Sequence, residues 1–139
     1  MSTESKKIAV GVFCADWRLH QDSVQIENKV KELLAVDAVD VLATAGPEGV
    51  VKNPSRAIEK EALANNIKVL IGAHKPVALA FVAHQQCAGH PVSDEQHEAD
   101  VAAMVQEYKD TLDFNGEIVG LVATYTNDNE WGLKEVVRT

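Results

Sequence analysis

Apolar runs alternate along this chain with segments whose apolar residues recur at helical spacing. Strands are predicted at Lys7–Phe13, Ala38–Thr44, Val77–Ala83, Ile118–Thr126 and Leu133–Val137. The runs at 7–13 and 77–83 are almost continuously apolar, which is typical of strands buried on both faces of a sheet. Only a turn at residues 127–132 separates the last two strands, which indicates a closing pair.

The first and last helices are predicted from their caps and apolar stripes. Asp22-Ser23 offers a cap for a helix from about Val24 to Ala35, with apolar residues along one face. Ser93 and Gln96 form a capping-box pattern ahead of a helix whose apolar face extends over residues 101–112. Each helix lies between two predicted strands, as a crossover connection requires.

The segment between the second and third strands admits two interpretations. A turn at Gly46-Pro47 and Gly49 ends the second strand, and Asn53-Pro54 is then typical of a helix start. We expect one helix running to about His74, because the apolar residues keep helical spacing that far. The alternative is a shorter helix followed by a strand at Ile67–Ile71.

The order β-α-β-α-β-α-β-β predicts an α/β fold. We expect a mostly parallel β-sheet with helices on both faces, right-handed crossovers and a closing strand pair at the C-terminus. The 139 residues suit one domain, residues 1–139, in which residues 1–6 form a loose tail. In open sheets of this kind, ligands bind beyond the carboxyl ends of the strands, where the strand order reverses.

Composition and net charge limit which binding partners and which cellular compartment are expected. The formal net charge of −8 should repel nucleic acid and anionic membranes, so neither is expected as a partner. No signal-peptide pattern or membrane-spanning apolar run occurs, and only two cysteines are present, which predicts a cytoplasmic protein. In that setting the cysteines are expected to serve a metal or catalytic role rather than a structural disulfide.

Three soft side chains follow the ends of two buried strands. Cys14 comes directly after the first predicted strand and His84 directly after the third, with Cys87 one turn further on. If these strands are neighbours, the side chains approach one point, and thiolate with imidazole is a donor set that zinc prefers. We therefore predict one zinc ion held by Cys14, His84 and Cys87, with the fourth position left to water. Two inert thiols with a core histidine, or a Cys14–Cys87 disulfide, are the alternatives.

Asp16 and Arg18 follow Cys14 at alternate positions. If this segment stays extended, all three side chains point the same way, and Arg18 can hold Asp16 in a charge-assisted pair. Held there, Asp16 would orient the water on zinc; released, it would take the fourth coordination position and close the site. An ordinary surface ion pair is the alternative interpretation.

The sequences CADWR at 14–18 and HQQC at 84–87, in this order, resemble the signature of the β-class carbonic anhydrases. The closing segment EIVGLVATYTNDNEWGLKEV resembles the last strand pair of that family. The resemblance implies a β-carbonic-anhydrase-like sheet, zinc ligands at Cys14, His84 and Cys87, and a catalytic dyad of Asp16 and Arg18. It also implies a homodimer or a higher homo-oligomer.

The function implied is zinc-dependent, reversible hydration of carbon dioxide to bicarbonate by a zinc-bound hydroxide, the reaction of a carbonate dehydratase-type lyase. Hydrolysis of a related small molecule, carbonyl sulfide or carbon disulfide, stays open, because the same nucleophile would attack the same kind of carbon. A non-catalytic zinc-binding relative, acting as a binding or regulatory subunit, also stays open.

The chain departs from the family pattern in three places. Only residues 1–13 precede Cys14, so we expect no counterpart of the family's N-terminal helical arm, which contacts substrate and partner. Ala43–Gly46 stands where the family often has Arg-Asn-Ala-Gly, and Ala88-Gly89 stands where it tends to have two glycines. We therefore expect a short, divergent member with intact zinc ligands and an open substrate identity.

Other polar and aromatic residues near these motifs carry weaker expectations. His20, His90 and His97 could relay protons, but histidines at such positions are expected to be exposed. Trp17 is expected in the core or in an interface, with the wall of an apolar pocket as the alternative. Gln85-Gln86 either binds a substrate or forms a solvated turn.

Overall fold

The computed structural model describes residues 6–139, so the predicted loose tail at residues 1–6 lies almost wholly outside the described part of the chain. The strands are β1 (Ile8–Cys14), β2 (Ala38–Thr44), β3 (Ala78–His84), β4 (Glu117–Asn127) and β5 (Glu130–Arg138). The helices are α1 (Trp17–His20), α2 (Ile26–Leu34), α3 (Pro47–Lys52), α4 (Ala57–His74) and α5 (Asp94–Thr111), and a 3-10 turn at Pro54–Arg56 leads into α4. All five predicted strands are present, with ends within three residues of the predicted ones.

The strands form one sheet in the order β2-β1-β3-β4-β5. β1 pairs in parallel with β2 and β3, β3 pairs in parallel with β4, and β4 and β5 form an antiparallel hairpin. The prediction of a mostly parallel sheet with a closing strand pair is therefore confirmed. Because β1 lies between β2 and β3, the strand order reverses there, and α/β sheets bind ligands beyond the carboxyl ends at such a point.

Helices cover both faces of the sheet, as predicted. On one face, the rings of Phe81 and Tyr108 stack with their centroids 5.0 Å apart, joining β3 to α5. On the other face, Phe13 belongs to a buried cluster with Leu19 of α1 and Val30 of α2. Burial of each large apolar side chain stabilises such a fold by about 1.5–3 kcal/mol. The two layers therefore hold the ends of β1 and β3 in fixed register.

The helix predicted at Val24–Ala35 begins later than its sequence pattern indicates. α2 starts at Ile26, and the residue before it, Gln25, has a left-handed backbone (φ 43°) and makes no side-chain cap bond. The prediction that Asp22-Ser23 caps this helix is wrong, because the chain first forms α1 and then turns. The four residues of α1 are too few for a periodic apolar pattern to show.

α4 bears out the longer of the two interpretations of its segment. It runs from Ala57 to His74, without a strand at Ile67–Ile71. The Asn53 side chain accepts a hydrogen bond from the Ser55 N–H (3.0 Å) and so begins the 3-10 turn ahead of the helix. Neither α4 nor any other helix in residues 6–139 is long and apolar enough to cross a membrane.

α3 occupies residues for which the sequence pattern predicts only a turn. Gly46 adopts a φ of 61° and Pro47 follows at the start of the helix, so the Gly-Pro pair that indicates a turn also begins a helix here. The Gly46 backbone lies against Gly89, because a β-carbon built on Gly46 would be 2.8 Å from the Gly89 carbonyl carbon. This close approach brings the loop after β2 against the loop that carries Cys87.

Candidate metal centre

Two neighbouring strand ends bring three soft side chains together. Cys14 and His84 are the last residues of β1 and β3, which extend one residue further than predicted, and Cys87 lies in the loop after β3. Their ligand atoms all lie within 4.8 Å of one another, and all three residues are buried. The structure thus gathers the three residues that the sequence predicts to bind metal.

The two sulfur atoms are spaced as metal ligands rather than as a disulfide. Cys14 Sγ and Cys87 Sγ are 3.9 Å apart, whereas a disulfide bond is about 2.05 Å long. Two thiolates on a tetrahedral zinc ion, each about 2.3 Å from the metal, lie about 3.8 Å apart. The alternative of a Cys14–Cys87 disulfide is therefore wrong, and the observed spacing fits a shared ion.

His84 presents one ring nitrogen to the two sulfur atoms. Its Nδ1 lies 2.7 Å from the Gln85 carbonyl oxygen, and because a carbonyl only accepts, Nδ1 carries the proton. Nε2 is buried and has no hydrogen-bond partner within residues 6–139. A buried nitrogen without a partner is costly, and a metal ion would satisfy it. The backbone of Gln85 therefore sets the tautomer that a ligand histidine needs.

The thiols and the imidazole perturb one another electrostatically. The hydrogen bond with Cys87, aided by His84 and by the Gly46 N–H (3.5 Å), lowers the pKa of Cys14 to about 4 despite burial. The same bond, together with burial, raises the pKa of Cys87. Burial lowers the pKa of His84, but the adjacent Cys14 sulfur outweighs burial and raises it overall. Cys14 is therefore ionised at neutral pH, which is the state in which cysteine binds metal.

Asp16 and Arg18 form a close pair beside this cluster. Residues 14–18 do not stay extended, so the condition set for their side chains to point the same way is not met. Asp16 instead caps α1 and accepts a hydrogen bond from the Arg18 N–H (2.9 Å). Arg18 Nη2 also donates to Asp16 Oδ2 (2.7 Å), so the predicted pairing is present, built on a helical turn. Burial raises the pKa of Asp16, but the Arg18 hydrogen bonds and charge outweigh it and lower the pKa overall.

The Asp16–Arg18 pair is not an ordinary surface ion pair. The two side chains are only 16% and 17% exposed, and Arg18 also donates to the Gln86 carbonyl (3.0 Å) and to Gln86 Oε1 (3.3 Å). Gln85 Oε1 accepts a hydrogen bond from the Tyr125 N–H (2.7 Å). Both glutamines therefore bond to the protein itself, although Gln86 is exposed in the bend after β3.

A cavity of about 460 Å³ opens beside the cluster. Its wall includes Cys14, Asp16, Trp17, Arg18, Ala45 and Ala88. Trp17 is 66% exposed, so the expectation that it lies in the core is wrong, and the alternative of a pocket wall fits its position. A slightly larger groove of about 490 Å³ lies between α4 and α5, and none of the three ligand residues lines it. The cavity beside Cys14 therefore gives small molecules a route to Cys14 and to the Asp16–Arg18 pair.

The His20 side chain contacts the backbone of Cys14, the last residue of β1. Its Nε2 lies 2.8 Å from the Cys14 carbonyl oxygen, and its Nδ1 bonds to Glu27. The His20 side chain is half-buried, so the expectation that this histidine is exposed is wrong. Its partners come from β1 and α2, and nothing in the local sequence indicates them.

A buried histidine–carboxylate cluster, formed by Glu48, His90, His97 and Asp100, lies next to the loop that carries Cys87. His90 Nε2 is 2.6 Å from Asp100 Oδ2, and His97 Nδ1 is 3.2 Å from Glu48 Oε2. His97 is fully buried and the His90 side chain is mostly buried, so the expectation that both are exposed is wrong. The carboxylates belong to α3 and α5, and the unpredicted helix α3 supplies one of them.

Asp100→Asn should destabilise the fold at neutral pH but not at low pH. Burial raises the pKa of Asp100, but hydrogen bonds from Lys52 (2.7 Å), His90 and Gln96 outweigh it and hold the pKa below its usual range. Because the folded-state pKa is depressed, this stability is present above the unfolded pKa and is lost as pH falls through the folded pKa. We expect the free energy of unfolding to fall by about 1.5–3 kcal/mol at pH 7.

Urea unfolding of both proteins at a series of pH values measures this effect. The difference in free energy should be constant down to about pH 5 and should shrink below about pH 4. Asp113→Asn is the matched control, because Asp113 is exposed at the end of α5 and should change stability little at any pH. A difference for Asp100→Asn that is the same at every pH would contradict the assignment.

This chain resembles a known protein family in sequence and a solved structure in fold. The chain matches the family described as "Putative carbonic anhydrase" over residues 4–137. Its fold is similar to that of the crystal structure of carbonic anhydrase from Streptococcus mutans, with a TM-score of 0.58 and 17% identity over 94% of this chain and 81% of that chain. No curated protein matches the chain. Because the family match spans nearly the whole sequence, the chain belongs to this carbonic anhydrase family.

Proposed function

We propose that the protein is a carbonate dehydratase-type lyase that hydrates carbon dioxide reversibly to bicarbonate. One zinc ion per chain would be held by Cys14, His84 and Cys87. The observation that carries this proposal is the convergence of three buried ligand atoms, within 4.8 Å of one another, beside the Asp16–Arg18 pair. Membership of the carbonic anhydrase family supports it independently.

The donor set supports zinc as the metal. Two sulfur atoms and one imidazole nitrogen suit zinc, and three protein ligands leave a fourth position open, as in catalytic rather than structural sites. When bound, zinc acts as a Lewis acid that can lower the pKa of a water molecule to about 7 in favourable sites. The buried ligands and the adjoining cavity supply the shape and access that this chemistry needs.

Asp16 is well placed to accept a hydrogen bond from the attacking water and to orient it. Its Oδ2 lies 3.9 Å from His84 Nε2, and therefore next to the proposed metal position. Arg18 keeps Asp16 ionised and holds both carboxylate oxygens, with Arg18 Nε 3.2 Å from each. A carboxylate fixed in this way can accept a hydrogen bond from a water molecule and so orient its lone pair towards the substrate carbon.

The hydrogen bonds between Asp16 and Arg18 also argue against the alternative of a non-catalytic zinc-binding protein. That alternative requires Asp16 to leave Arg18 and take the fourth ligand position. In the structure Asp16 accepts hydrogen bonds from the Arg18 backbone and side chain at once. This arrangement supports a site whose fourth position stays accessible from the cavity.

The cavity suits a small uncharged substrate and an anionic product. Its wall includes the apolar side chains of Trp17, Ala45 and Ala88, which suit an uncharged, weakly hydrated molecule such as carbon dioxide. Arg18 supplies a positive charge that favours bicarbonate. Assembly into a homodimer or a higher homo-oligomer stays a prediction from the family resemblance.

Parallel assays of carbon dioxide, carbonyl sulfide and carbon disulfide with zinc-loaded protein test the substrate assignment. We expect the highest kcat/KM with carbon dioxide and no turnover after the metal is removed by a chelator. Restored turnover on adding zinc back controls for damage by the chelator. Turnover of a sulfur analogue with carbon dioxide inert would overturn the assignment and keep the metal site.

A further inference from the structure

Trp131 contacts both the proposed metal ligand His84 and the Asp16–Arg18 pair. It is 3% exposed and lies in β5, paired with Tyr125 of β4. Its ring centroid is 5.7 Å from that of His84, with an interplanar angle of 76°, so the two rings meet edge to face. The guanidinium carbon of Arg18 lies 5.2 Å from the centroid of the same indole. One buried side chain thus contacts a proposed ligand and the partner of Asp16.

The indole acts on these neighbours through its ring. Its Nε1 is buried and has no hydrogen-bond partner in the described part of the chain. Edge-to-face aromatic contacts and cation–π contacts both depend on orientation, because they arise from the ring quadrupole. Trp131 can therefore restrict the rotation of the His84 ring and the placement of the Arg18 guanidinium.

The β4–β5 hairpin reinforces this contact. Tyr125 packs edge to face on Trp131, with centroids 5.1 Å apart, and its ring lies 5.9 Å from the guanidinium carbon of Arg18. Asp128, in the turn of the hairpin, accepts hydrogen bonds from Arg18 Nη1 (3.5 Å) and from the Tyr125 hydroxyl (3.3 Å). The hairpin therefore encloses Arg18 on the side away from Asp16.

We propose that Trp131 is a positioning residue that couples the His84 ligand to the Asp16–Arg18 pair. By fixing the His84 ring, it orients Nε2 towards the metal position. By holding the Arg18 guanidinium, it keeps Asp16 in place beside that position. The part of this inference that concerns turnover rests on the proposed function, whereas the part that concerns metal geometry does not.

The test compares Trp131→Leu with Trp131→Phe, each loaded with zinc for kinetics and with cobalt(II) for absorption spectroscopy. Leucine keeps a buried apolar side chain without a ring, and phenylalanine keeps a ring face. Leu133→Ala is the matched control, because Leu133 lies two residues along the same face of β5 and packs against the same cluster. Leucine has no ring, so Leu133 makes neither the edge-to-face nor the cation–π contact that Trp131 makes.

We expect Trp131→Leu to retain bound metal while kcat falls about 10- to 100-fold with little change in KM, as for other residues that orient a metal ligand. Its cobalt absorption bands should shift, and a chelator should remove its zinc more readily. Trp131→Phe should keep the parental spectrum and most of the turnover. Leu133→Ala should lower stability and leave the spectrum and kcat unchanged.

Two results would overturn the inference. One is a parental cobalt spectrum and kcat in Trp131→Leu, which would make Trp131 a core residue only. The other is equal losses in Trp131→Leu and Trp131→Phe, which would show that the ring face is not what matters. If Trp131→Leu does not fold, Trp131→Met, with its adaptable buried side chain, takes its place in both comparisons. If the parent protein does not hydrate carbon dioxide, the proposed function fails, and the cobalt spectra still decide this inference.

Discussion

The Cys14→Ser variant is expected to lose its zinc, and Cys87→Ser and His84→Ala are expected to do the same. The three ligand atoms lie within 4.8 Å of one another, so removing one leaves two donors and a weakly held ion. A serine hydroxyl also does not ionise near neutral pH, whereas the pKa of Cys14 is lowered to about 4. Zinc content after dialysis against a chelator should fall from about one ion per chain to below about 0.1.

A matched histidine variant separates ligand loss from general damage. His74 is about half exposed at the end of α4 and pairs with Asp40 (2.6 Å), and it does not belong to the metal-ligand cluster. His74→Ala should therefore keep its zinc. Thermal unfolding should also show stabilisation by zinc in the parent and in His74→Ala only, because a ligand that binds the folded state raises its stability. Full zinc retention in any of the three ligand variants would contradict the assigned ligand set.

Asp16→Asn is expected to keep zinc and to lose most turnover. Asparagine has nearly the same shape, but it cannot accept from Arg18 with both terminal atoms, and it presents an N–H group where the carboxylate accepts hydrogen bonds. A residue that accepts a proton or orients the nucleophile typically contributes 10²–10⁴-fold to the rate, so we expect kcat to fall by about 100-fold or more. Stopped-flow kinetics with zinc-matched samples measures this loss.

Asp22→Asn is the control for this variant, because Asp22 is an exposed carboxylate six positions further along the chain, in the turn after α1. Its substitution should leave kcat within about twofold of the parent, as expected for a surface change away from a functional contact. An Asp16→Asn protein with full turnover would remove Asp16 from the mechanism. Loss of zinc from it would instead make Asp16 part of the metal-binding set.

The strands and the mostly parallel sheet could be predicted because β1 and β3 are almost uninterrupted apolar runs. The runs that became β1 and β3 end within one residue of Cys14 and His84, so their pairing alone brings the two side chains together. The resemblance carried by CADWR and HQQC is likewise confirmed by the family match over residues 4–137. Local sequence placed each ligand at a strand end, but it did not show that β1 and β3 are neighbours. Because β2 lies between them in the chain, that pairing follows only from the sheet order β2-β1-β3-β4-β5.

The remaining errors concern contacts between residues distant in sequence. Trp17 looks apolar enough for the core, yet it lies on the cavity wall because α1 turns it outward. His97 looks polar enough for the surface, yet Glu48 of the unpredicted helix α3 meets it in the interior. Trp131 carries no motif of its own, and only the register of β4 and β5 places it behind His84. Such positions depend on which helix turn or strand register faces them, and hydrophobic periodicity does not contain that information.

Stopped-flow hydration of carbon dioxide by the zinc-loaded protein, scanned from mildly acid to alkaline pH, tests the central claim most directly. The two cysteine ligands proposed here bring thiolate charge that neutralises the double charge of zinc, leaving a less electrophilic ion than three imidazoles would. We therefore expect fast turnover that rises with pH through and above neutrality. A rate already at its plateau at mildly acid pH would contradict the charge argument. No turnover at any pH, with zinc still bound, would contradict the proposal that this site hydrates carbon dioxide.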